Sequence, residues 1–216
     1  MIRILLADDH DLVRTGIGRM LADIADMTVV GEATSGEEAV ELCRRLSPDV
    51  VLMDVKMPGI GGLEATRKIV QHQAGIKVIA VSACDDDIFP SRLLQAGASG
   101  YVVKGASFAE VVKAIRKVMT GQRYLSATVA EQMALRPFGS GDGSPFDRLS
   151  ERELQITMMV VSCQKVQDIS DKLHLSPKTV NSYRYRIFEK LGISGDVELT
   201  HLAIRHGMVE HPSASA

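Results

Sequence analysis

The sequence of 216 residues has no tryptophan, and only 4% of its residues are aromatic. Its three cysteines, Cys43, Cys84 and Cys163, lie far apart and include no CxxC pair. An odd number of widely spaced cysteines excludes a disulfide framework and a cysteine-based zinc site. We therefore expect reduced thiols that are packed inside the protein.

Long hydrophobic runs are missing as well. No stretch approaches the roughly 18 apolar residues that a membrane-spanning helix needs. The apolar run at the start of the chain reaches the acidic pair Asp8 and Asp9 before a signal-peptide core and cleavage site are complete. These absences predict a cytoplasmic protein with no membrane contact.

Charge of one sign is not in excess, since the formal net charge is −2. Residues 1–121 hold 14 basic and 16 acidic residues, whereas residues 148–216 hold 9 and 8. From Lys178 to Lys190, four basic residues accompany a single acidic one. With 45% apolar residues and about one and a half typical domain lengths, the chain should form an ordinary domain and a smaller one. The different charge balance suggests that the two have different tasks.

Segments rich in Val, Ile and Leu alternate with segments of helical period over residues 1–121. Short, continuously apolar strands separated by helices are typical of a parallel sheet that is covered on both faces. The sequence therefore predicts an α/β domain with a doubly wound, five-stranded parallel sheet. The predicted strands are 2–7, 28–31, 50–53, 78–81 and 100–103, and the predicted helices lie near 12–22, 36–46, 63–72, 88–96 and 108–120.

A linker and a helical region follow this domain. Residues 136–145 contain three Gly and two Pro, which is the composition of a flexible connection. Ser150 and Glu153 are spaced as a capping box, and Ser176 followed by Pro177 is typical of a helix start. The predicted bounds are 122–147 for the linker and 148–211 for a small all-α domain, with helices up to about 162 and near 166–173, 177–191 and 196–206.

Polar side chains follow four of the predicted strands. Asp8 and Asp9 follow the first strand, Asp54 the third, Ser82 the fourth and Lys104 the fifth. The carboxyl ends of parallel strands meet at one edge of a sheet, so these groups should converge in one crevice. Three adjacent carboxylates repel each other unless a cation is present, and oxygen ligands suit Mg²⁺. Asp54 would then be a nucleophile for a phosphoryl group.

This arrangement resembles the flavodoxin-like receiver domain of bacterial response regulators, in the strand-end groups and in the segment 52–59. The resemblance implies phosphorylation by a partner sensor histidine kinase and only Mg²⁺-dependent self-phosphorylation and dephosphorylation, not an enzyme acting on an external substrate. It also implies roles for individual residues: Asp9, Asp54 and the backbone carbonyl of Lys56 as Mg²⁺ ligands assisted by Asp8, Ser82 and Lys104 as contacts to the phosphoryl group, and Tyr101 as an aromatic switch.

The segment 165–190 has the pattern of a helix-turn-helix. Apolar residues from Ile169 to Leu191 recur on one face of each predicted helix, and polar or basic residues occupy the other face. A helix of this kind fits the major groove of DNA, where Asn and Ser reach base edges and Lys and Arg pair with phosphates. The pattern alone leaves open a helical protein-binding module with a charged outer face.

The second domain is similar to the LuxR-type DNA-binding domain at residues 149–153, 176–180 and 190–191. The whole chain therefore resembles the NarL/FixJ class. It resembles the GacA/UvrY branch of that class at residues 179–186 and 195–207. The resemblance implies a transcription regulator, an activator of small regulatory RNA genes, that dimerises when activated, binds an inverted-repeat promoter site and acts with RNA polymerase. Residues 163–167 depart from the usual pattern of the class. The predicted DNA contacts are Lys165, Lys178, Thr179, Asn181, Ser182, Arg184, Tyr185 and Lys190.

Two other functions use the same residues. A phosphatase with an aspartyl-phosphate intermediate would use the acids and Mg²⁺, although Lys56 stands where a dehalogenase-type hydrolase has a second Asp. A phosphorylated adaptor would bind protein through the helical domain. His10 is expected in the first turn of a helix, with metal ligation left open, and the acidic run 85–87 is expected to interact with a helix dipole.

Overall fold

The structure is a computed structural model that describes residues 1–82, 89–135 and 144–209. The chain divides into two compact units, Met1–Gly139 and Ser140–Ala216. The predicted α/β architecture followed by a helical domain is confirmed. Each unit is described in turn.

The first unit is built on a parallel sheet with the order β2-β1-β3-β4-β5-β6. The winding direction reverses beside β1, which lies between β2 and β3, and this places a crevice at the carboxyl ends of β1 and β3. The strands are β1 (Ile2–Ala7), β2 (Met27–Ala33), β3 (Val50–Asp54), β4 (Lys77–Ser82), β5 (Gly100–Val103) and β6 (Tyr124–Leu125). The helices are α1 (Asp11–Ala22), α2 (Gly36–Leu46), α3 (Gly61–His72), α4 (Phe89–Gln95), α5 (Phe108–Met119) and α6 (Ala127–Leu135).

Alternate side chains of the central strands enter two separate cores. Leu5, Val51 and Met53 pack with α2 and α3 on one face, and Leu6 and Leu52 pack with α1 and α5 on the other. Because both faces are buried, the strands are apolar without alternation, as the sequence indicates. Polar groups of these central strands therefore lie where the strands end, at the edge of the sheet.

The cysteine expectation is only partly met. Cys43 is buried in the core beside α2, whereas Cys163 is exposed. The expectation of a packed thiol was therefore wrong for Cys163, which follows the end of a helix in a left-handed turn with φ 58°. Cys84 and the acidic run 85–87 lie outside the described residues.

The sheet has six strands rather than the predicted five, and the ordered part of the first unit extends into the predicted linker. β6 pairs with β5 through Gly100 opposite Tyr124 and Tyr101 opposite Leu125. The Tyr124 hydroxyl donates to Glu110 Oε1 at 3.1 Å, and α6 packs against α4. A strand of two residues has no detectable period, which explains why the sequence did not reveal it. The Gly-rich residues 136–143 lie outside the described part of the chain.

The second unit is a bundle of four α-helices preceded by the 3₁₀ turn Pro145–Arg148. Ser150 and Glu153 form the predicted capping box, and Ser176 caps a helix that begins at Pro177, so both predicted starts are confirmed. The helices are α7 (Glu151–Val161), α8 (Val166–Leu173), α9 (Pro177–Leu191) and α10 (Asp196–Arg205). Their buried side chains include Phe146, Leu154, Ile156, Ile169, Val180, Ile187 and Leu199.

Among the helices that the structure describes, none combines the length and the apolar character needed to cross a bilayer.

Adding a methyl group at two helical glycines should have opposite effects on stability. A Cβ at Gly62 would lie 2.0 Å from the Asp54 carbonyl oxygen, whereas a Cβ at Gly16 would meet nothing within 4 Å. Overpacking costs about 1–3 kcal/mol, and replacing an unhindered helical Gly by Ala gains up to about 1 kcal/mol. We expect Gly62→Ala to lower, and Gly16→Ala to raise, the free energy of opening β1 and β3, measured by hydrogen exchange in the full chain. Equal protection in both variants would contradict this packing at the end of β3.

Candidate functional site

The carboxyl edge of the sheet brings the predicted polar groups into one crevice. Asp8 and Asp9 follow β1, Asp54 ends β3 and Ser82 ends β4. Asp54 is in register with Val81, the residue before Ser82. The predicted groups, which are up to 96 positions apart in the sequence, thus lie at the same edge of the sheet because the strands are parallel and in register.

The acidic groups form a compact cluster at this edge. One ligand atom from each of Asp8, Asp9, His10 and Asp54 lies within 4.8 Å of the others. Asp54 is 2% exposed and Asp8 is 6% exposed, while Asp9 and His10 are exposed at the rim. The cluster therefore has a buried floor and an open side through which a ligand or a partner can enter.

Lys104 joins the two buried carboxylates. Its Nζ donates to Asp54 Oδ2 at 2.7 Å and lies 3.1 Å from Asp8 Oδ2. Its backbone amide donates to the Ser82 carbonyl at 2.5 Å, which fixes the start of the β5–α5 loop against the end of β4. Lys56 is half-buried just past β3, and its amide donates to Asp54 Oδ1 at 3.2 Å.

The electrostatics of the crevice favour a further positive charge. Burial raises the pKa of Asp54 above its ordinary value, against the opposing effect of Lys104, and the nearby Asp8 raises it further. Burial would lower the pKa of Lys104, but Asp54 and Asp8 outweigh it and raise that pKa, so the ammonium stays charged. One ammonium therefore does not fully compensate the carboxylates. Their oxygens are the donor set that hard divalent cations prefer, so the residues present fit such an ion.

His10 lies at the rim of the cluster. It is the N-cap residue of α1 without a side-chain capping bond, close to its predicted first-turn position. Its Nδ1 lies 3.0 Å from Asp8 Oδ1 and 2.9 Å from Asp9 Oδ1. The hydrogen bond with Asp8 raises the pKa of His10 more than burial lowers it. His10 thus interacts electrostatically with the Asp8 and Asp9 carboxylates.

Ser82, a predicted contact to the phosphoryl group, and Tyr101, the predicted switch, are buried on neighbouring strands. Ser82 is fully buried at the end of β4, and Tyr101 is buried in β5 opposite Ala80. The Tyr101 ring therefore occupies an inward position in the structure, close to the strand end that carries Lys104.

Arg14 belongs to the crevice although sequence reasoning missed it. It is buried on α1, and its guanidinium donates to the Asp8 carbonyl and to Asp11 Oδ1, each at 2.8 Å. Its Nε donates to Glu32 Oε2 on β2 at 3.2 Å. These bonds fix the backbone that presents the acidic pair. The available signal was the spacing of three residues between Asp11 and Arg14 on one helix face.

In the second unit, α9 presents polar side chains to solvent. Lys178, Ser182 and Tyr185 are exposed, and Tyr185 is 73% exposed. Thr179 is half-buried, and its hydroxyl lies 2.8 Å from Ser176 Oγ. Lys165 is exposed at the N-cap of α8. These five predicted DNA contacts lie at the starts of α8 and α9 or on the outer face of α9.

The other three predicted DNA contacts, Asn181, Arg184 and Lys190, have partners inside the domain. Arg184 donates to Asn181 Oδ1 at 3.1 Å and also to Asp196 at the start of α10. Lys190 Nζ donates to Glu153 Oε2 at 2.7 Å. The sequence pattern could not show the contacts with Asp196 and Glu153, because these partners lie on other helices, 12 and 37 residues away.

The family follows from two matches that together account for both units. The response regulator receiver domain matches residues 4–116, and the LuxR family of bacterial regulatory proteins matches residues 147–203. The chain belongs to the LuxR-type response regulators. A receiver that contains the acidic crevice is therefore followed by a domain of the LuxR family.

Similar proteins extend over the whole chain. Response regulator GacA of Pseudomonas viridiflava is 67% identical over 211 residues, covering 97% of this chain and 99% of that protein. Response regulator UvrY of Escherichia coli K12 is 57% identical over 217 residues, covering 100% of both. These relatives are response regulators rather than enzymes, which does not favour the phosphatase alternative.

One similar solved structure is a complex of a protein with DNA. RcsB from Salmonella enterica serovar Typhimurium, bound to promoter rprA in the presence of the phosphomimetic BeF3-, is 25% identical. The alignment covers 93% of this chain and 97% of that chain, with a TM-score of 0.72.

Proposed function

We propose that this response regulator accepts a phosphoryl group on Asp54 from a partner sensor histidine kinase, and that phosphorylation controls promoter binding by its LuxR-type domain. The observation that carries this proposal is the Lys104 ammonium, which lies between Asp54 and Asp8 at the acidic crevice. The receiver family supports a kinase as donor.

The proposed metal is Mg²⁺. Asp9, Asp54 and the backbone carbonyl of Lys56 would hold it, with Asp8 assisting. When bound, Mg²⁺ neutralises negative charge on the phosphoryl oxygens and on the acids around them. The buried floor and exposed rim of the cluster suit an ion that keeps several water ligands.

The transfer itself is an in-line displacement at phosphorus. A carboxylate oxygen of Asp54 forms the new P–O bond while the P–N bond to the kinase histidine breaks, and the imidazole leaves with the electron pair. Lys104 and the Ser82 hydroxyl bind phosphoryl oxygens, so catalysis consists of positioning and charge neutralisation. The product is an acyl phosphate with nearly two negative charges.

The added charge alters β5, which carries both Tyr101 and Lys104. Lys104 exchanges part of its contact with Asp8 for the phosphoryl oxygens, and Tyr101 follows the movement of Ser82. β5 is bonded to the segment that leaves the receiver, since Val103 N donates to Ser126 Oγ at 3.3 Å and Ser126 N donates to the Tyr101 carbonyl at 3.0 Å. The acyl phosphate thereby favours one of two coexisting forms of the receiver.

In the favoured form, two copies of the chain bind an inverted-repeat promoter site as a homodimer and act with RNA polymerase. The first turns of α9 enter the major groove, where Asn181 and Ser182 face bases and Lys178 faces a phosphate. RcsB, which is similar over most of the chain, is bound to promoter DNA in two of its solved structures, and this supports the proposal.

The first experiment tests the metal. A ligand that binds only the folded state stabilises it by about 2.7 kcal/mol at a hundredfold excess over Kd. We expect Mg²⁺ to raise the unfolding temperature of the wild type and Asp9→Asn to remove most of that increase. Glu41→Gln, which changes an exposed acid on α2, is the matched control and should keep the full increase. An equal response in Asp9→Asn would contradict the assigned ligand.

The second experiment tests the acceptor. Incubation with a small acyl phosphate should label the wild type once per chain and increase its affinity for promoter DNA. Asp54→Asn should abolish both effects because an amide is not a comparable nucleophile, while Glu41→Gln should retain them. Intact-mass analysis and DNA binding measured side by side would refute the assignment if Asp54→Asn became labelled as the wild type does.

The third experiment separates phosphate contacts from base contacts. Lys178→Ala should weaken binding to every duplex and reduce the slope of log affinity against log salt by about 0.9. Asn181→Ala should leave that slope unchanged and reduce the preference among sequences, by about 1–3 kcal/mol at the contacted base pair. Binding titrations on variant duplexes at several salt concentrations measure both effects. Complete insensitivity of the wild type to salt would instead support the adaptor alternative.

A further inference from the structure

The carboxylate of Glu153 connects two helices of the second unit. It is 4% exposed and accepts hydrogen bonds from Ser150 N and from Lys190 Nζ, each at 2.7 Å. Glu153 lies in the first turn of α7, and Lys190 lies in the last turn of α9. One buried group thus holds the start of α7 and the end of the helix that is proposed to enter the major groove.

The neighbouring Arg152 makes a parallel connection to α8. Its guanidinium donates to the Leu173 carbonyl, the last residue of α8, at 3.0 Å. It also donates to Gln155 Oε1 at 2.7 Å within α7. Arg152 and Glu153 therefore attach the carboxyl-terminal ends of both helix-turn-helix helices to the first turn of α7.

The Lys190 contact is an ion pair with one buried partner, since the Lys190 side chain is 41% exposed and the Glu153 side chain is 5% exposed. Burial would raise the pKa of Glu153, but the Lys190 ammonium and the Ser150 amide outweigh it and hold that pKa below its ordinary value. The carboxylate is thus ionised at neutral pH. Moving the ammonium away to a DNA phosphate would leave a buried carboxylate without its counter-charge, which is strongly unfavourable.

We infer that Glu153 and Lys190 form a brace that fixes α9 on α7, and that Lys190 is a positioning residue for DNA binding rather than a phosphate contact. This replaces the role that the charge pattern of the sequence predicts for Lys190. The inference rests on the proposed function, since it takes α9 as the DNA-binding helix, but the brace itself does not require DNA.

The decisive experiment measures duplex binding by the full chain, treated with a small phosphodonor, at several salt concentrations. The probe is a fluorescent random-sequence duplex. We expect Lys190→Met to weaken binding roughly tenfold or more at each salt concentration without changing the salt slope. The matched control Lys178→Met, on the same helix, should reduce the slope by about 0.9. Lys190→Arg keeps the charge and should bind as the wild type does.

The double variant distinguishes the two roles further. Glu153→Gln combined with Lys190→Met leaves no uncompensated carboxylate, so it should bind DNA more tightly than Lys190→Met alone. If Lys190 instead contacts a phosphate, Lys190→Met reduces the slope as Lys178→Met does and the double variant gains nothing. Either of these results overturns the inference.

A readout without DNA separates this inference from the proposed function. Hydrogen exchange in the full chain should show that Lys190→Met and Glu153→Gln each expose the start of α7 and the end of α9, with effects that are not additive in the double variant. Additive or absent effects contradict the brace. A wild type that shows this coupling but binds no duplex at any salt concentration contradicts the proposed function, and with it the DNA-positioning role.

Discussion

The ion pairs of Lys104 with Asp54 and Asp8 are the interaction on which the receiver unit depends. Two carboxylates that are nearly buried cannot both be ionised at short range without a cation, and Lys104 provides the one that the chain itself supplies. The three residues lie on β1, β3 and β5 or just past them, so the interaction requires the observed strand order. The strand order of the sheet and the charge pairing in the crevice therefore depend on each other.

This constraint also explains how much could be predicted from the sequence. Apolar strands of four to six residues, four of them followed by a polar group, specify a parallel sheet and a common edge from the sequence alone. The convergence of Asp8, Asp54 and Lys104 is a consequence of topology and was predicted for that reason. The role of Arg14 was not, because its spacing from Asp11 indicates only a pair on one helix face and does not reveal the Asp8 carbonyl and the Glu32 carboxylate that it contacts.

The missed sixth strand has a different cause. β6 is two residues long, and its position depends on hydrogen bonds to β5 and on the bond between Tyr124 and Glu110. Neither helical nor strand periodicity can detect contacts of this kind. Periodicity likewise cannot detect the ion pairs of Arg184 with Asp196 and of Lys190 with Glu153, which join different helices. Periodicity predicts the helix face that carries the Cα of a residue. Charge pairing in the tertiary structure determines where the end of a long, flexible side chain lies.

The two units use buried charge in opposite ways. In the receiver, the carboxylates of Asp8 and Asp54 are held close together with incomplete compensation, so the arrangement is sensitive to an added cation or phosphoryl group. In the second unit, the Glu153 carboxylate is matched by Lys190 and by the amide of Ser150, so its arrangement is fixed. A regulator needs both properties, because an input that changes charge must alter one site without loosening the helix that is proposed to bind DNA. The incompletely compensated carboxylate at the end of β3 meets the first requirement. The fully compensated carboxylate at the start of α7 meets the second.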